Sequence, residues 1–218
     1  QTHTVVLSGG ESIIEIPQAQ TRRGVARDYF QLGVHHIWAG TDHLLFLVCL
    51  IFISGTFTRV LTAITGFTIA HSVTLALSAL DVVHLPVPPV EAGIALSVVY
   101  LAVEVVKGRR DNITWRYPIA VSSSFGLLHG LGFAAVLNEI GLPNRELATG
   151  LLFFNLGVEA GQVMFAALVM AALAAFRKLV RGRERSSPIE VPVRKTLGYA
   201  VGILAAFWVF ERVASFAA

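Results

Sequence analysis

Residues 36–54 have the sequence HIWAGTDHLLFLVCLIFIS, in which a continuous apolar run follows two histidines and an aspartate. We predict that this run belongs to a membrane-spanning helix over residues 31–54, because about 20 mainly apolar residues are needed to cross a bilayer. Ionisable side chains are costly inside a bilayer and usually mark a functional site there. His36, Asp42 and His43 are therefore the first candidates for a function.

The composition of the whole chain agrees with a membrane protein. Of its 218 residues, 55% are hydrophobic and 14% are charged, whereas soluble domains carry about 25% charged residues. The apolar runs are continuous rather than alternating, which favours helices over strands. We predict an all-α, polytopic membrane helix bundle of about six transmembrane helices, near residues 31–54, 58–80, 89–107, 117–138, 146–176 and 196–216.

The N-terminal segment has a different character. Thr2–Leu7 and Ser12–Ile16 resemble two short strands around a pair of glycines, which predicts a β-hairpin. We divide the chain into an extracytoplasmic segment, residues 1–27, and a transmembrane domain, residues 28–218. The first is expected to be the end of a processed or truncated domain.

The distribution of basic residues predicts the orientation. With the N-terminus outside, 12 of the 17 Lys and Arg residues fall in cytoplasmic loops, as the positive-inside rule requires. We therefore predict a bacterial-type inner (cytoplasmic) membrane protein with both termini extracytoplasmic. The same argument removes the nucleic-acid partner that a pI near 9.4 could suggest, because the positive charge lies in short loops.

Six ionisable side chains stand out inside the predicted spans, away from the span ends, and form the candidate metal site. They are His36, Asp42, His43, His71, His129 and Glu159. Four of them, on four different spans, lie roughly 12–14 residues from a span end, which at about 1.5 Å per residue places them near one plane at the bilayer centre. Further polar side chains are expected to support them or to line a polar path: Asn155, Gln162, Ser122 and Ser123.

The chemistry of this set is that of a transition-metal site. Neutral imidazole and carboxylate are common ligands of zinc, nickel, copper(II) or iron, and a single cysteine is too few for a thiolate site. On a continuous helix His36 and His43 would lie roughly 10 Å apart. One ion could bind both only if the helix unwound, for which Gly40 is the candidate; otherwise they serve two ions or two stations. Helix packing and a metal-free proton relay remain alternatives.

Small residues surround two of the candidates. Gly126 and Gly130 flank His129, and Gly157 and Gly161 flank Glu159, in the small-xxx-small spacing that lets helices approach closely. We expect these glycines to bring the fourth and fifth spans together.

Four segments together resemble the HupE/UreJ family of membrane proteins, which is associated with hydrogenase and urease gene clusters. They are His36-Ile-Trp-Ala-Gly-Thr-Asp42-His43, Gly66-Phe-Thr-Ile-Ala-His71, Phe125-Gly-Leu-Leu-His129-Gly and Phe154-Asn-Leu-Gly-Val-Glu159-Ala-Gly-Gln162. The resemblance covers about residues 30–215 and implies nickel or cobalt transport across the inner membrane. The N-terminal hairpin resembles the end of the large extracytoplasmic domain found in one branch of the family.

One position departs from the family pattern. Members described as nickel permeases carry a Phe-His-Gly motif that ends in glutamate, whereas this chain has Leu128 before His129 and Ala134 where the glutamate would fall. Glu159 could supply the missing carboxylate. The departure could also mean a different metal or no transport.

Two functions follow from these observations. The first is a transition-metal (nickel-like) permease of the inner membrane with a mid-membrane His/carboxylate site. The second is a membrane-embedded zinc-dependent hydrolase, in which the same cluster activates a water molecule. Either would use a divalent transition metal ion (nickel, zinc, cobalt or copper) and a lipid bilayer, and oligomerisation could help to shield the polar centre.

Overall fold

The computed structural model describes residues 21–132, 146–181 and 190–217. These ranges contain helices and no β-strand, which confirms the predicted all-α class for the part of the chain described. The predicted hairpin at residues 1–16 lies outside the described residues, as do residue 134 and the last part of the fourth predicted span.

Eight α-helices and a final 3-10 turn make up the described ranges. They are α1 (Arg22–Ala39), α2 (Thr41–Ser54), α3 (Phe57–Ala79), α4 (Val87–Lys107), α5 (Ile113–Arg116), α6 (Pro118–Gly132), α7 (Leu147–Arg181), α8 (Glu190–Ala214) and the 3-10 helix Ser215–Ala217. Helices α3, α4, α7 and α8 are long and apolar enough to cross a membrane, and the bent pair of α1 and α2 makes a fifth crossing if it is one span. A sixth crossing, at α6, remains a prediction.

The first predicted span is a broken helix. Helix α1 ends and α2 begins at Gly40, and the two helix axes differ in direction by 73°. The Gly40 N–H donates to the His36 carbonyl at 3.0 Å, while the Gly40 carbonyl accepts from Leu44 N–H at 3.2 Å. A Cβ atom at Gly40 would lie 2.6 Å from Nδ1 of His43, so a residue without a side chain is needed here. The proposed break at Gly40 is confirmed.

The fifth and sixth predicted spans, residues 146–176 and 196–216, leave residues 177–195 as a predicted loop, which is shorter in the structure. Helix α7 continues to Arg181 and α8 already begins at Glu190, so the interpretation of residues 177–181 and 190–195 as loop was wrong. Pro192 is compatible with the start of α8, because the first N–H groups of a helix have no intrahelical acceptor to lose. Pro88 and Pro89 lie in the first turn of α4 for the same reason.

Glycines set the closest helix contacts, but between other helices than expected. The most extensive pairs are α3 with α6, α1 with α7 and α4 with α8. Gly126 lies against the backbone of Phe67 in α3, and Gly157 lies against the backbone of Phe30 in α1. The expectation that these glycines join the fourth and fifth spans was therefore wrong. Each motif instead seats its helix on a helix from the first half of the chain.

The bundle has two chemically different ends. The turn between α2 and α3, the end of α4 and helix α5 meet at one of them, where Arg59, Arg110 and Arg116 surround a cavity; we call this the basic end. Helix α4 begins and α8 finishes at the opposite end. There Glu91 and Arg212 form an ion pair of 3.5 Å.

Candidate functional site

Four of the predicted site residues form a row of imidazole rings inside the bundle. The ring centroids of His129 and His43 lie 5.1 Å apart, those of His43 and His36 4.6 Å, and those of His36 and His71 6.3 Å. The row joins residues from α6, α2, α1 and α3. We call these four side chains the histidine row.

Asp42 fixes the orientation of His43. The Nδ1–H group of His43 donates to Oδ1 of Asp42 at 3.0 Å, and the same oxygen accepts the backbone N–H of His43 at 2.9 Å. Helix α2 begins at Thr41, so the carboxylate also lies near the positive end of the helix dipole. In the neutral tautomer that this bond favours, with the proton on Nδ1, the His43 ring directs a bare Nε2 lone pair into the row. A carboxylate that orients a histidine in this way is common at metal sites.

Ser97 of α4 fixes the tautomer of His129 in a similar way. Its hydroxyl donates its only hydrogen to the carbonyl of Ile94 at 2.6 Å. The contact of 3.2 Å between Oγ of Ser97 and Nε2 of His129 therefore requires the imidazole to be the donor. The proton of His129 is on Nε2, and its Nδ1 carries a lone pair.

The two lone pairs of His43 and His129 face each other. The distance between Nε2 of His43 and Nδ1 of His129 is 3.5 Å, and in the neutral tautomers just described no proton lies between these atoms. Two such lone pairs repel unless a cation lies between them. Zinc–nitrogen bonds of about 2.0–2.1 Å at a tetrahedral angle give a nitrogen–nitrogen separation of roughly 3.3 Å, which is close to the observed separation.

His71 presents a third lone pair. Its Nδ1–H donates to Oδ1 of Asn155 at 3.1 Å, and the amide is held in that orientation because its Nδ2 donates to the carbonyl of Leu151 at 2.8 Å. The opposite nitrogen of His71, Nε2, is buried without a hydrogen-bond partner among the described residues. Buried polar atoms are rarely left unpaired, so this atom also indicates a ligand.

A cavity leads from the histidine row toward the opposite end. Its volume is about 160 Å³, and its walls include His36, His43 and His129 together with the Glu91–Arg212 pair. No residue of the basic end lines it. Among the described residues, this cavity reaches the row from the end that carries Glu91 and Arg212.

Three aromatic rings lie on the side of the row that faces the basic end. Phe46 follows His43 by three residues on α2, while Phe67 and Phe125 precede His71 and His129 by four. At about 1.5 Å per residue each ring is roughly 4.5–6 Å nearer the basic end than its histidine. The centroids of Phe46 and Phe67 are 5.3 Å apart, and those of Phe46 and Phe125 are 6.0 Å apart. We call these three rings the phenylalanine layer.

The remaining predicted residues support helix contacts around the row. Glu159 accepts a hydrogen bond from Thr65 at 2.7 Å, and Gln162 accepts one from Thr68 at 3.1 Å, so both tie α7 to α3. Ser122 donates to the carbonyl of Ala63 at 2.9 Å. Ser123 lies beside Gly66, also where α6 meets α3.

Several residues of the site were not found from the sequence. Ser97 and the phenylalanine layer carry no pattern that separates them from ordinary span residues, while Glu91 and Arg212 lie near span ends, where charged residues are ordinary. Glu91 and Arg212 are 121 positions apart in the chain, and only the packing of α4 on α8 brings them to one cavity. A serine inside an apolar helix is too common to mark a site.

The site is only partly preformed. No group of three or more His, Cys, Asp or Glu side chains, in the part of the chain that is described, is arranged to hold a metal ion. The lone pairs of His43 and His129 are directed at the same point between the two rings. The rings of His36 and His71 would have to turn before their nitrogens could bind an ion at that point.

Comparison with known families gives one match. A family model described as HupE / UreJ protein matches residues 13–212, which is nearly the whole chain. Neither the comparison with curated proteins nor that with solved structures gives a match.

Proposed function

This chain belongs to the HupE/UreJ family, and on that premise we propose that it is a transition-metal permease whose cargo binds at the histidine row. The family is associated with nickel and cobalt transport. Nickel is the cargo that we propose for this chain, because imidazole nitrogens suit nickel well. The metal is here a substrate, not a resident cofactor.

The observation that carries the proposal is the pair of facing lone pairs on His43 and His129. Asp42 and Ser97 hold the two protons on the far nitrogens, so this arrangement is costly without a cation. A dication entering between Nε2 and Nδ1 removes the repulsion and gains two ligands at once. His36, which lines the same cavity, is the next ligand on the way in.

The loose arrangement favours a cargo over a fixed catalytic metal. Catalytic zinc is usually held by three protein ligands that are already in place, while a transport site must bind its ion weakly enough to release it. A hydrolase would also need a carboxylate as general base. Asp42 already accepts a hydrogen bond from His43, and Glu159 already accepts one from Thr65.

The broken helix and the cavity between the row and the Glu91–Arg212 pair suggest a route. Transporters often place their site where a spanning helix is interrupted, and they expose it to one side at a time. We propose that the ion enters from the end with Glu91 and Arg212, which the basic-residue count assigns to the extracytoplasmic side. Separation of the phenylalanine layer would then release the ion toward the basic end.

The proposal is tested with the full chain reconstituted in liposomes that enclose a metal-sensitive dye. We expect nickel uptake that falls at least tenfold in His43→Ala and in His129→Ala. The matched control is His84→Ala, because His84 is exposed and bonded to Asp81, and its uptake should stay at the wild-type rate. An equal loss of nickel uptake in all three variants, at equal expression, would show that the histidine row is not the cargo site.

Metal content separates the two candidate functions. Elemental mass spectrometry of the purified chain, before and after dialysis against a mild chelator, should show nickel that rebinds reversibly. About one zinc ion per chain that survives dialysis, together with no uptake, would support the hydrolase instead.

A further inference from the structure

One cavity at the basic end is lined by arginines whose charge no carboxylate of the described residues balances. Its volume is about 650 Å³, and Arg59, Arg110 and Arg116 line it. In the described ranges, none of the three guanidinium groups forms an ion pair with a carboxylate, and none of the lining residues is acidic. Glu104, the buried acid of this end, is already bound by Lys107 and Asn112. We call this the arginine cavity.

Two buried polar groups in the wall of the arginine cavity also lack partners. The indole Nε1–H of Trp115 and the hydroxyl of Ser54 make no hydrogen bond to any described residue. Both residues are buried, since Trp115 is only 9% exposed and Ser54 only 2%. Buried donors of this kind cost free energy unless a ligand or water accepts from them. The indole can only donate. Together with the guanidinium groups, the wall therefore offers mainly donors.

A ligand for such a wall must be an anion with several acceptor oxygens. Guanidinium groups bind phosphate oxygens with two parallel hydrogen bonds, and these charge-assisted bonds are the strong ones. A volume of this size lies within the range of about 300–1,000 Å³ that is typical of small-molecule sites. The shared chemistry is therefore that of a phosphate group, either free or carried by a lipid.

A second cavity next to the first decides between these sources. It measures about 340 Å³ and shares Arg59, Arg116 and Tyr117 with the arginine cavity. Its other walls are the start of α6 and Thr62 of α3, and the side chains of Tyr117 and Ile119 are 56% and 46% exposed on the outside of the bundle. The second cavity is an apolar groove on the outer surface of the bundle, and it begins at Arg59 and Arg116. Such a groove suits an acyl chain whose headgroup is bound by the two arginines.

We propose that the arginine cavity binds the phosphate of an anionic phospholipid, with the start of an acyl chain in the adjoining groove. Arg59 and Arg116 hold the phosphate where the two cavities meet. Arg110, the Trp115 indole and the Ser54 hydroxyl bind the remaining headgroup oxygens. Basic pockets between membrane helices are known to bind such headgroups in general, and the lipid would clamp the turn between α2 and α3 to helix α5.

The test is lipid binding to the full chain in detergent, measured by native mass spectrometry. We compare phosphatidylglycerol with phosphatidylcholine of the same acyl chains, and both with inorganic phosphate. We expect one phosphatidylglycerol to bind at least tenfold more tightly than phosphatidylcholine. Arg116→Gln should remove most of that preference, and Arg109→Gln should leave it unchanged, because Arg109 is a neighbouring exposed arginine that lines neither cavity.

Three results would overturn the proposal. Equal affinity for the two lipids would exclude a headgroup site. Equal losses of the phosphatidylglycerol preference in Arg116→Gln and Arg109→Gln would show that the lipid is attracted by the net charge and not by a specific site. Inorganic phosphate that binds as tightly as the lipid shows a site for a free anion. If Arg116→Gln fails to fold, Trp115→Phe decides: it keeps the ring, removes only the N–H donor and should lower phosphatidylglycerol affinity several-fold without affecting phosphatidylcholine.

Discussion

His36 and His43 are seven residues apart in the chain, and their imidazole centroids lie 4.6 Å apart because the helix breaks between them at Gly40. A continuous helix would separate them by roughly 10 Å along its axis. The bend of 73° lets both side chains reach one cavity. The break at one glycine is therefore what makes a shared site possible.

Gly40→Ala should damage the site more than the fold. A Cβ atom at Gly40 would lie 2.6 Å from Nδ1 of His43 and 3.1 Å from Oδ1 of Asp42, so it would push apart the hydrogen bond that orients His43. We expect nickel affinity to fall at least tenfold in isothermal titration. Gly202→Ala is the matched control, since its Cβ would meet only Ala102 at 3.4 Å. Similar affinities in the two variants would contradict this role of Gly40.

Asp42→Asn should change the tautomer of His43. The asparagine amide can donate to Nδ1, which would move the imidazole proton to Nε2 and remove the lone pair that faces His129. Loss of such an orienting group typically costs about 10–100-fold in metal affinity, and we expect a loss in this range. Asp81→Asn, which alters the exposed partner of His84, should have no effect. Retained affinity in Asp42→Asn would show that Asp42 does not select the tautomer.

The Glu91–Arg212 pair should set the rate of ion entry. Both side chains line the cavity and lie 3.5 Å apart. Glu91→Gln leaves an unbalanced cation at the entrance and should slow nickel uptake at low salt, while Arg212→Gln should speed it. Both effects should shrink as added salt screens the charges. Glu211→Gln, an exposed neighbour outside the cavity, is the control. Effects of the same sign in Glu91→Gln and Arg212→Gln would exclude an electrostatic entrance.

Phe67→Leu should weaken the phenylalanine layer. The smaller side chain opens a gap beside Phe46 at a cost below the about 3–5 kcal/mol of a Phe→Ala change. In a His36→Cys, Cys49→Ser background, a membrane-impermeant thiol reagent should label position 36 from the end with Glu91 only. Adding Phe67→Leu should allow labelling from the basic end as well.

The control for this experiment is Phe207→Leu, because Phe207 is 61% exposed on α8 and outside the layer. It should leave the sidedness of labelling unchanged. Labelling from the basic end without Phe67→Leu would show that the three rings do not close the path.

Much of the site could be predicted because the cost of burying a polar group is a property of the residue itself. An ionisable side chain within about 20 apolar residues stands out before any contact is known, and this selected His36, Asp42, His43, His71 and His129 as candidates, whose side chains the structure brings together. The same argument chose Glu159, which accepts a hydrogen bond from Thr65. The sequence cannot show such a partner, because Thr65 is 94 positions away and resembles any other threonine in a span.

The sequence by itself determined the helical class, the approximate spans and the candidate break at Gly40, since hydropathy and the missing side chain of glycine act locally. Only the tertiary structure decided which helices touch, and the glycine motifs show why: Gly126 could seat α6 on any helix, and the packing against Phe67 selected α3. The tautomers of His43, His71 and His129 were likewise fixed by partners from their surroundings. A neutral imidazole has its lone pair on one nitrogen and its proton on the other. Which nitrogen has the lone pair is decided only when the partner that accepts the N–H hydrogen bond is in place.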